Sequence, residues 1–374
     1  MRYVRFLKVP KTDGKTLNAL ITITSDLGED FLAENVTLAA TIRSADDHGD
    51  IYLRKRLEWT AGMRSLPVSF DLRHCDLDWP IRVQVGARGT AQTDLFGEHE
   101  DDHVPSLISA WSASLDVPRG IKEAEKKVER RFTPLSRRTL SIWEETGESI
   151  ARHVWDAGVG LAAFFDKTIA LQYDIMPLLD TTLSSATYKK LNVIELGAGC
   201  GIVGISLAQL IPDCRVTLTD LPEAQEIAER NIKGMNPAMS SQVKFEPLDW
   251  EEELPENIAQ RPYDLIIVSD CTYNPDSSPA LVKTLHALTK RCPKAIVVLA
   301  MKVRHSSEAV FFDLLQQADI MTAASTWMAI PTDPGDYESA KKIDIYIFHS
   351  KARPKSAETP SMIPDPSIVA FWQQ

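Results

Sequence analysis

The stretch that decides the fold is Val193-Ile-Glu-Leu-Gly-Ala-Gly-Cys-Gly-Ile-Val-Gly204. Its first four residues have the apolar composition of a strand buried on both faces, and the glycines after them lead into a helical stretch over 203–210. Glycine is needed in such a turn because a side chain would keep a ligand away from the backbone. The N–H groups it frees point into the crevice at the carboxyl end of the strand. Residues 199–204, GCGIVG, satisfy G-x-G-x-x-G, and Asp220 stands close to the spacing at which an acidic residue holds the ribose of NAD. A dinucleotide is thus one ligand for the loop, and a glycine turn with no ligand is another reading.

Outward from the loop, strands and helices alternate, the signature of a parallel α/β sheet. Strands are expected at 193–196, 215–219, 243–246, 265–269, 296–300, 321–327 and 343–348, with helices at 203–210, 223–233, 278–290 and 307–318. No helix fits between the last two strands, because 328–342 is short and rich in Pro, Gly and Asp, so they should pair as an antiparallel hairpin. Upstream, 150–170 has the apolar spacing of a helix through Trp155, Val159, Ala162 and Phe165, and 139–146 could be a strand.

The amino-terminal part is written differently. Runs of period two at 17–24, 36–43, 51–59, 66–72 and 81–87, with Trp111 in a further apolar run, read as an antiparallel β domain of sandwich type. Between the two grammars, 120–131 (GIKEAEKKVERR) has helical propensity and no apolar face, as expected of a surface linker helix. The expected organisation is therefore a β-rich accessory domain over 1–118, a charged linker helix over 119–138, an α/β domain over 139–350 and a Pro- and Ser-rich tail over 351–374.

Composition excludes several classes of function. The chain has 374 residues, 41 Lys plus Arg against 52 Asp plus Glu, and a formal net charge of −11, which argues against a protein held to nucleic acid by bulk charge. Five cysteines with no C-x-x-C pair support neither a zinc site nor a disulfide framework. The loop 97–103 combines carboxylates with His99 and His103 but reads as a solvated acidic loop, so no metal is expected. No apolar run follows the basic start of the chain and none approaches a bilayer span, so a protein of a reducing compartment, cytoplasmic or nuclear, without a membrane partner is expected.

Three features turn the loop's ligand from a dinucleotide to S-adenosylmethionine. Gly197 directly follows the strand and is preceded by Glu195, giving E-L-G-x-G-x-G, similar to motif I of class I methyltransferases. The next strand ends at Thr219-Asp220, where one carboxylate can take both ribose hydroxyls, and the closing hairpin departs from the two-halved dinucleotide fold. Finally, Leu248-Asp249-Trp250 and Ser269-Asp270-Cys271-Thr272-Tyr273 follow the third and fourth strands. They bring an indole for an adenine face, and a carboxylate and a phenol beside the sulfonium. The plainer readings are a core Trp250, an Asp270 that caps the next helix and a Tyr273 used for packing.

On these pieces the sequence resembles the seven-β-strand protein-lysine methyltransferases of the methyltransferase-like group, also called methyltransferase family 16. The matching segments are Val154-Trp-Asp-Ala-Gly158, Glu195 to Gly201, Asp220, Leu248 to Trp250 and the D-x-x-Y element Asp270 to Tyr273. The resemblance implies a class I methyltransferase fold, a seven-stranded, mostly parallel sheet with a carboxyl-terminal antiparallel hairpin, beside the amino-terminal antiparallel β domain. It implies that Trp155 contacts the methionine part of S-adenosylmethionine, that Glu195, Gly197, Ala198 and Gly199 belong to its binding loop, and that Asp220 holds ribose. Trp250 and Ser269 would flank adenine, and Asp270 and Tyr273 would be catalytic, facing the acceptor lysine. The long β-rich amino-terminal region looks like that of fungal members that modify translation elongation factors, elongation factor 2 among them. A monomer acting on a protein lysine, with no direct nucleic-acid partner, is then expected. The alternatives are a methyltransferase for another amine, in a small molecule or nucleic acid, and a cofactor-binding scaffold whose β domain does the work. A base-modifying enzyme is disfavoured because D-C-T-Y lacks paired prolines.

Overall fold

The computed structural model describes residues 1–45, 49–87, 92–97, 104–145, 150–170, 176–187, 189–331 and 341–354. The acidic loop after Gly97 and nearly all of the carboxyl-terminal tail lie outside the described residues.

The amino-terminal part is a sandwich of two sheets. Its strands are β1 (Arg2–Thr12), β2 (Thr16–Thr24), β3 (Val36–Ser44), β4 (Ile51–Trp59), β5 (Leu66–Asp71), β6 (Ile81–Ala87), β7 (Asp94–Leu95), β8 (Leu107–Ile108), β9 (Ala110–Ser112), β10 (Lys127–Thr133) and β11 (Leu140–Glu145). One sheet has the order β5-β2-β1-β8 and the other β11-β10-β9-β6-β3-β4, with β7 beside β10. Their inward residues, among them Leu17, Ile21, Leu38, Ile42, Val83 and Val85, form one apolar core.

Two expectations fail here. The charged stretch taken for a linker helix contains β10, and β11, placed by sequence in the α/β domain, pairs with β10 in antiparallel register. The charges of β10 looked solvated because they are neutralised inside the sheet. Arg130 donates from Nε to Glu144 Oε1 at 2.9 Å and from Nη1 to the carbonyls of Val4 and Ser109, while Glu129 on the other face pairs with Arg82 and Arg131. With its charges matched in this way, the segment follows the alternation of Val128, Arg130 and Phe132 rather than its helix propensity.

The second part has strands β12 (Leu191–Leu196), β13 (Cys214–Asp220), β14 (Gln242–Pro247), β15 (Leu265–Ser269), β16 (Ile296–Met301), β17 (Ile320–Ala329) and β18 (Lys342–Ser350). Around them are α1 (Asp156–Ile169), α2 (Pro177–Ser184), α3 (Ile202–Leu210), α4 (Gln225–Gly234), α5 (Glu256–Ala259), α6 (Ser278–Arg291) and α7 (Val310–Gln317). The sheet order is β14-β13-β12-β15-β16-β18-β17, parallel except for β18, which runs antiparallel to both β16 and β17. The predicted closing hairpin is present, and this is the class I methyltransferase architecture. Chain progression reverses between β12 and β15, so the crevice opens at their carboxyl ends.

The two parts share a core. Tyr3, Phe132, Leu140 and Ile142 from the sandwich join Val154, Leu161 and Phe165 and the α3 residues Val203 and Leu207 in one buried cluster. Asn231 of α4 stitches the seam: it accepts from Trp143 N at 2.8 Å and donates to the carbonyls of Trp143 and Cys200.

Candidate active site

The loop after β12 turns through left-handed backbone at Gly197 and Gly199, with φ of 66° and 53°. A Cβ on Gly197 would stand 2.4 Å from Cys271 Sγ and 3.2 Å from the Trp250 ring, and one on Gly199 would stand 2.8 Å from the carbonyl oxygen of Ala151. Conformation and space therefore both demand glycine at these positions. Ala198 N donates to Thr219 O at 2.9 Å, which ties the loop to β13.

Glu195 does not line the crevice. It is buried beneath the loop, where Oε2 accepts from Gly204 N at 2.8 Å and anchors the first turn of α3. Burial pushes its carboxyl up to about 8, with the neighbouring Asp220 charge adding to the effect against the hydrogen bond from Gly204. The sequence put Glu195 among cofactor ligands because the motif holds it next to the glycines; its side chain points to the other side of the turn.

Asp220, at the end of β13, accepts from Gly199 N and from its neighbour Leu221 N, each at 2.7 Å. Burial raises its carboxyl above the usual range, against those two bonds. Each oxygen keeps a lone pair for a further donor. Trp250 leans its ring edge over Gly197, and Ser269 Oγ faces Gly158 at the start of α1, 3.8 Å from where a Cβ would stand. Trp250 Nε1 and Ser269 Oγ are buried without a hydrogen-bond partner among the described residues. Two unsatisfied polar atoms, a glycine cradle and a carboxylate with spare lone pairs, gathered at the carboxyl ends of neighbouring strands, fit an adenosyl group that accepts and donates hydrogen bonds.

Asp270 and Tyr273 lie where the end of β15 meets a pocket of about 600 Å³, with Trp155 on its wall. Asp270 neither caps α6 nor stands free. Its backbone is left-handed, with φ of 57°, and its carboxylate takes both arms of the Arg304 guanidinium, Oδ1 to Nη1 and Oδ2 to Nη2, at 2.7 Å each. Burial pushes the Asp270 carboxyl up and Arg304 pulls against it. Tyr273 is half exposed, and burial raises its phenol above the usual value. Trp155 starts α1 and donates from Nε1 to Ile150 O at 3.1 Å, with Arg304 over its ring at 5.7 Å.

Sequence reading missed the rest of this network. Arg304 also donates to Asp26 Oδ2 at 2.9 Å. Lys302 bridges Asp26 Oδ1 at 2.9 Å and Asp156 Oδ2 at 2.7 Å, and Tyr3 donates to Asp156 Oδ1 at 2.8 Å. Burial opposes the charges on Asp26 and Lys302, but the pairing wins: Asp26 is held below the usual carboxylate range and Lys302 above the usual lysine value. The available signal was position, since Lys302 and Arg304 directly follow the carboxyl end of β16. Nothing local marks Asp26. Among the described residues no three His, Cys, Asp or Glu side chains converge as metal ligands, and no helix is long and apolar enough to cross a membrane.

Comparison with known proteins adds chemistry to this geometry. Residues 135–318 match the family described as Lysine methyltransferase. Protein N-lysine methyltransferase METTL21A of Danio rerio is 32% identical, over 47% of this chain and 70% of its own. EEF1A lysine methyltransferase 3 of Mus musculus is also 32% identical, over 48% of this chain and 68% of its own. UPF0665 family protein C23C4.06c of Schizosaccharomyces pombe is 29% identical over 93% of this chain and 99% of its own. That similarity runs through the sandwich, whereas the first two cover about half of the chain.

Proposed function

The chain belongs to the lysine methyltransferase family, and from that premise we propose that this S-adenosylmethionine-dependent protein-lysine N-methyltransferase acts on a translation elongation factor, as a monomer in the cytoplasm. Elongation factor 2 is the first candidate acceptor, from the resemblance of the long amino-terminal region to fungal enzymes. Elongation factor 1A is the second, because a relative carries that substrate in its name. The observation that carries the reading is the meeting of the two motif ends: the glycine cradle after β12 adjoins the carboxylate and phenol after β15.

S-adenosylmethionine supplies a methyl group on a positively charged sulfur, open to in-line attack by an amine. The chain's own residues orient and desolvate. Gly197, Ala198 and Gly199 let the backbone approach, Asp220 accepts from the ribose hydroxyls, and Trp250 with Ser269 flanks the adenine. Trp155 closes the methionine end. A free lysine has a pKa of about 10.4, so the amine must shed a proton before it attacks. The buried wall of the pocket disfavours the ammonium, Tyr273 orients the nitrogen by its hydroxyl, and Asp270 holds the departing proton's path toward water. Because Arg304 occupies both oxygens of Asp270, that carboxylate works as a fixed negative charge rather than as a free base.

The test is labelling of purified elongation factors 2 and 1A with isotopically marked donor. Marked lysine on either one is the expected result. Labelling of neither, with a different lysate protein marked at lysine, would overturn the elongation-factor target alone. Label confined to RNA or small molecules would overturn the lysine reading. Calorimetric titration should show S-adenosylhomocysteine binding and no comparable binding of NAD.

A further inference from the structure

The pocket that holds Asp270 and Tyr273 has a floor and a rim of opposite character, and the sandwich contributes to both. Asp26 and Asp270 form a buried, charged floor joined by Arg304. Around the opening stand Leu7, Leu27, Ile150 and Tyr273, which are 55%, 47%, 55% and 49% exposed. Leu7 and Leu27 come from β1 and from the turn after β2. Pairing of β1 with β2 shifts register between Phe6 and Lys8, so Leu7 is the extra residue of a bulge, a device that re-aims a side chain beside functional sites. Large apolar side chains left in water around one polar opening mark a surface that another molecule covers.

We propose that the sandwich builds half of the acceptor mouth and selects a lysine flanked by apolar residues, rejecting a lysine set in a basic tail. The inference rests on the protein-lysine reading above and adds the sequence context of the acceptor. The floor carboxylates are already matched by Lys302 and Arg304, so they leave no surplus negative charge to draw in a run of cations. A second or third cation beside the acceptor would meet Arg5, which lines the same opening and bonds to Thr24 and to main-chain carbonyls rather than to a carboxylate. Apolar residues on either side of the lysine would instead cover Leu7 and Leu27 on one lip and Ile150 and Tyr273 on the other. Asp26 links the lips, since it holds Arg304 from the sandwich side while Asp270 holds it from the other.

The experiment uses the full chain, labelled donor and a cell lysate, with marked lysines located by mass spectrometry. Marked lysines are expected to have apolar neighbours within two positions and no run of Lys or Arg. On the acceptor so identified, the double variant Leu7→Glu/Leu27→Glu should lose at least tenfold in kcat/KM, mostly through KM, with S-adenosylhomocysteine affinity unchanged. Should that variant bind the homocysteine compound poorly, Leu7→Ser/Leu27→Ser takes its place, with a loss of at least threefold expected. Met239→Glu, at an exposed position that does not line the pocket, should match the wild type. Marked lysines inside basic runs, or rim variants as active as the wild type, would overturn the inference and leave the lysine reading intact. No marked lysine with the wild type would overturn both.

Discussion

The donor side and the acceptor side proposed for the crevice adjoin at the ends of β12 and β15, yet they are built in opposite ways. The donor side is local: its cradle is a five-residue turn from Gly197 to Gly201 braced by Glu195 and Asp220, and its precision comes from glycines that nothing else can replace. The acceptor side is assembled from distant segments, with Asp26 from the sandwich, Asp156 from α1, Asp270 after β15, and Lys302 and Arg304 after β16 held by alternating charge. A turn that must fit a common cofactor can be fixed by one short motif. A mouth that must fit one protein can be altered by changing any of several elements, and here one of those elements is a second module.

The largest effect is expected from Gly197→Ala, which puts a Cβ 2.4 Å from Cys271 Sγ at a φ of 66°. The left-handed conformation alone costs roughly 1–2 kcal/mol for a residue with a Cβ. S-adenosylhomocysteine affinity measured by calorimetry should fall by about 100-fold or more, as expected when a well-oriented binding backbone is displaced. Unchanged affinity would break the claim that the donor side is a glycine cradle. Asp270→Ala should do the converse, lowering kcat by about 100-fold in lysine labelling, the scale of a lost electrostatic contact in an active site, with donor affinity held. It also leaves Arg304 with Asp26 as its remaining carboxylate, so a drop in melting temperature should accompany the lost activity.

Asp26→Asn sharpens the comparison further, because it alters the acceptor side from the other module. Labelling should fall about tenfold, a loss of roughly 1.4 kcal/mol in transition-state stabilisation, without a change in donor affinity. Asp26 is held below its ordinary value of 3.8, so its stabilising contribution is complete above that pH and is lost as pH falls through the lowered value. The variant should therefore melt below the wild type at neutral pH, with the gap narrowing as pH falls below 3.8. A gap that stays constant with pH would show that the carboxylate charge is not what joins the two sides.

The same contrast explains what could be read from sequence. The sheet with its hairpin, the glycine loop, Asp220 and the D-x-x-Y element lie in contiguous runs whose periodicity or spacing is itself the signal. Arg304 and Asp26 carry no such mark, because a charge reads as solvated until its partner is known. For the same reason β10 read as a surface helix: Arg130 and Glu129 are buried only because Glu144 and Arg82 meet them across strands. Glu195 was recognised as part of its motif but placed on the wrong side of the turn, since spacing fixes neighbours along the chain and not the direction of a side chain.

The smallest expected effect on the site's chemistry lies under the donor loop, where Glu195 can be separated from the cofactor altogether. Its carboxyl is raised from an ordinary 4.5 to about 8, so the folded protein keeps a proton there that the unfolded chain releases. Stability from this group is complete below pH 4.5, declines as pH rises and is gone above pH 8, at up to roughly 1.4 kcal/mol per pH unit across that window. Glu195→Gln keeps an oxygen to accept from Gly204 N and has no proton to lose. Its melting temperature should therefore fall less than that of the wild type between pH 5 and 8, while S-adenosylhomocysteine affinity at pH 6 stays within about threefold, less than 1 kcal/mol. Equal pH slopes would mean that the wild-type carboxyl is ionised under the loop. A collapse of affinity with the pH slope abolished would instead mean that the motif's carboxyl reaches the donor after all, and the donor side would then be less local than the geometry of its turn implies.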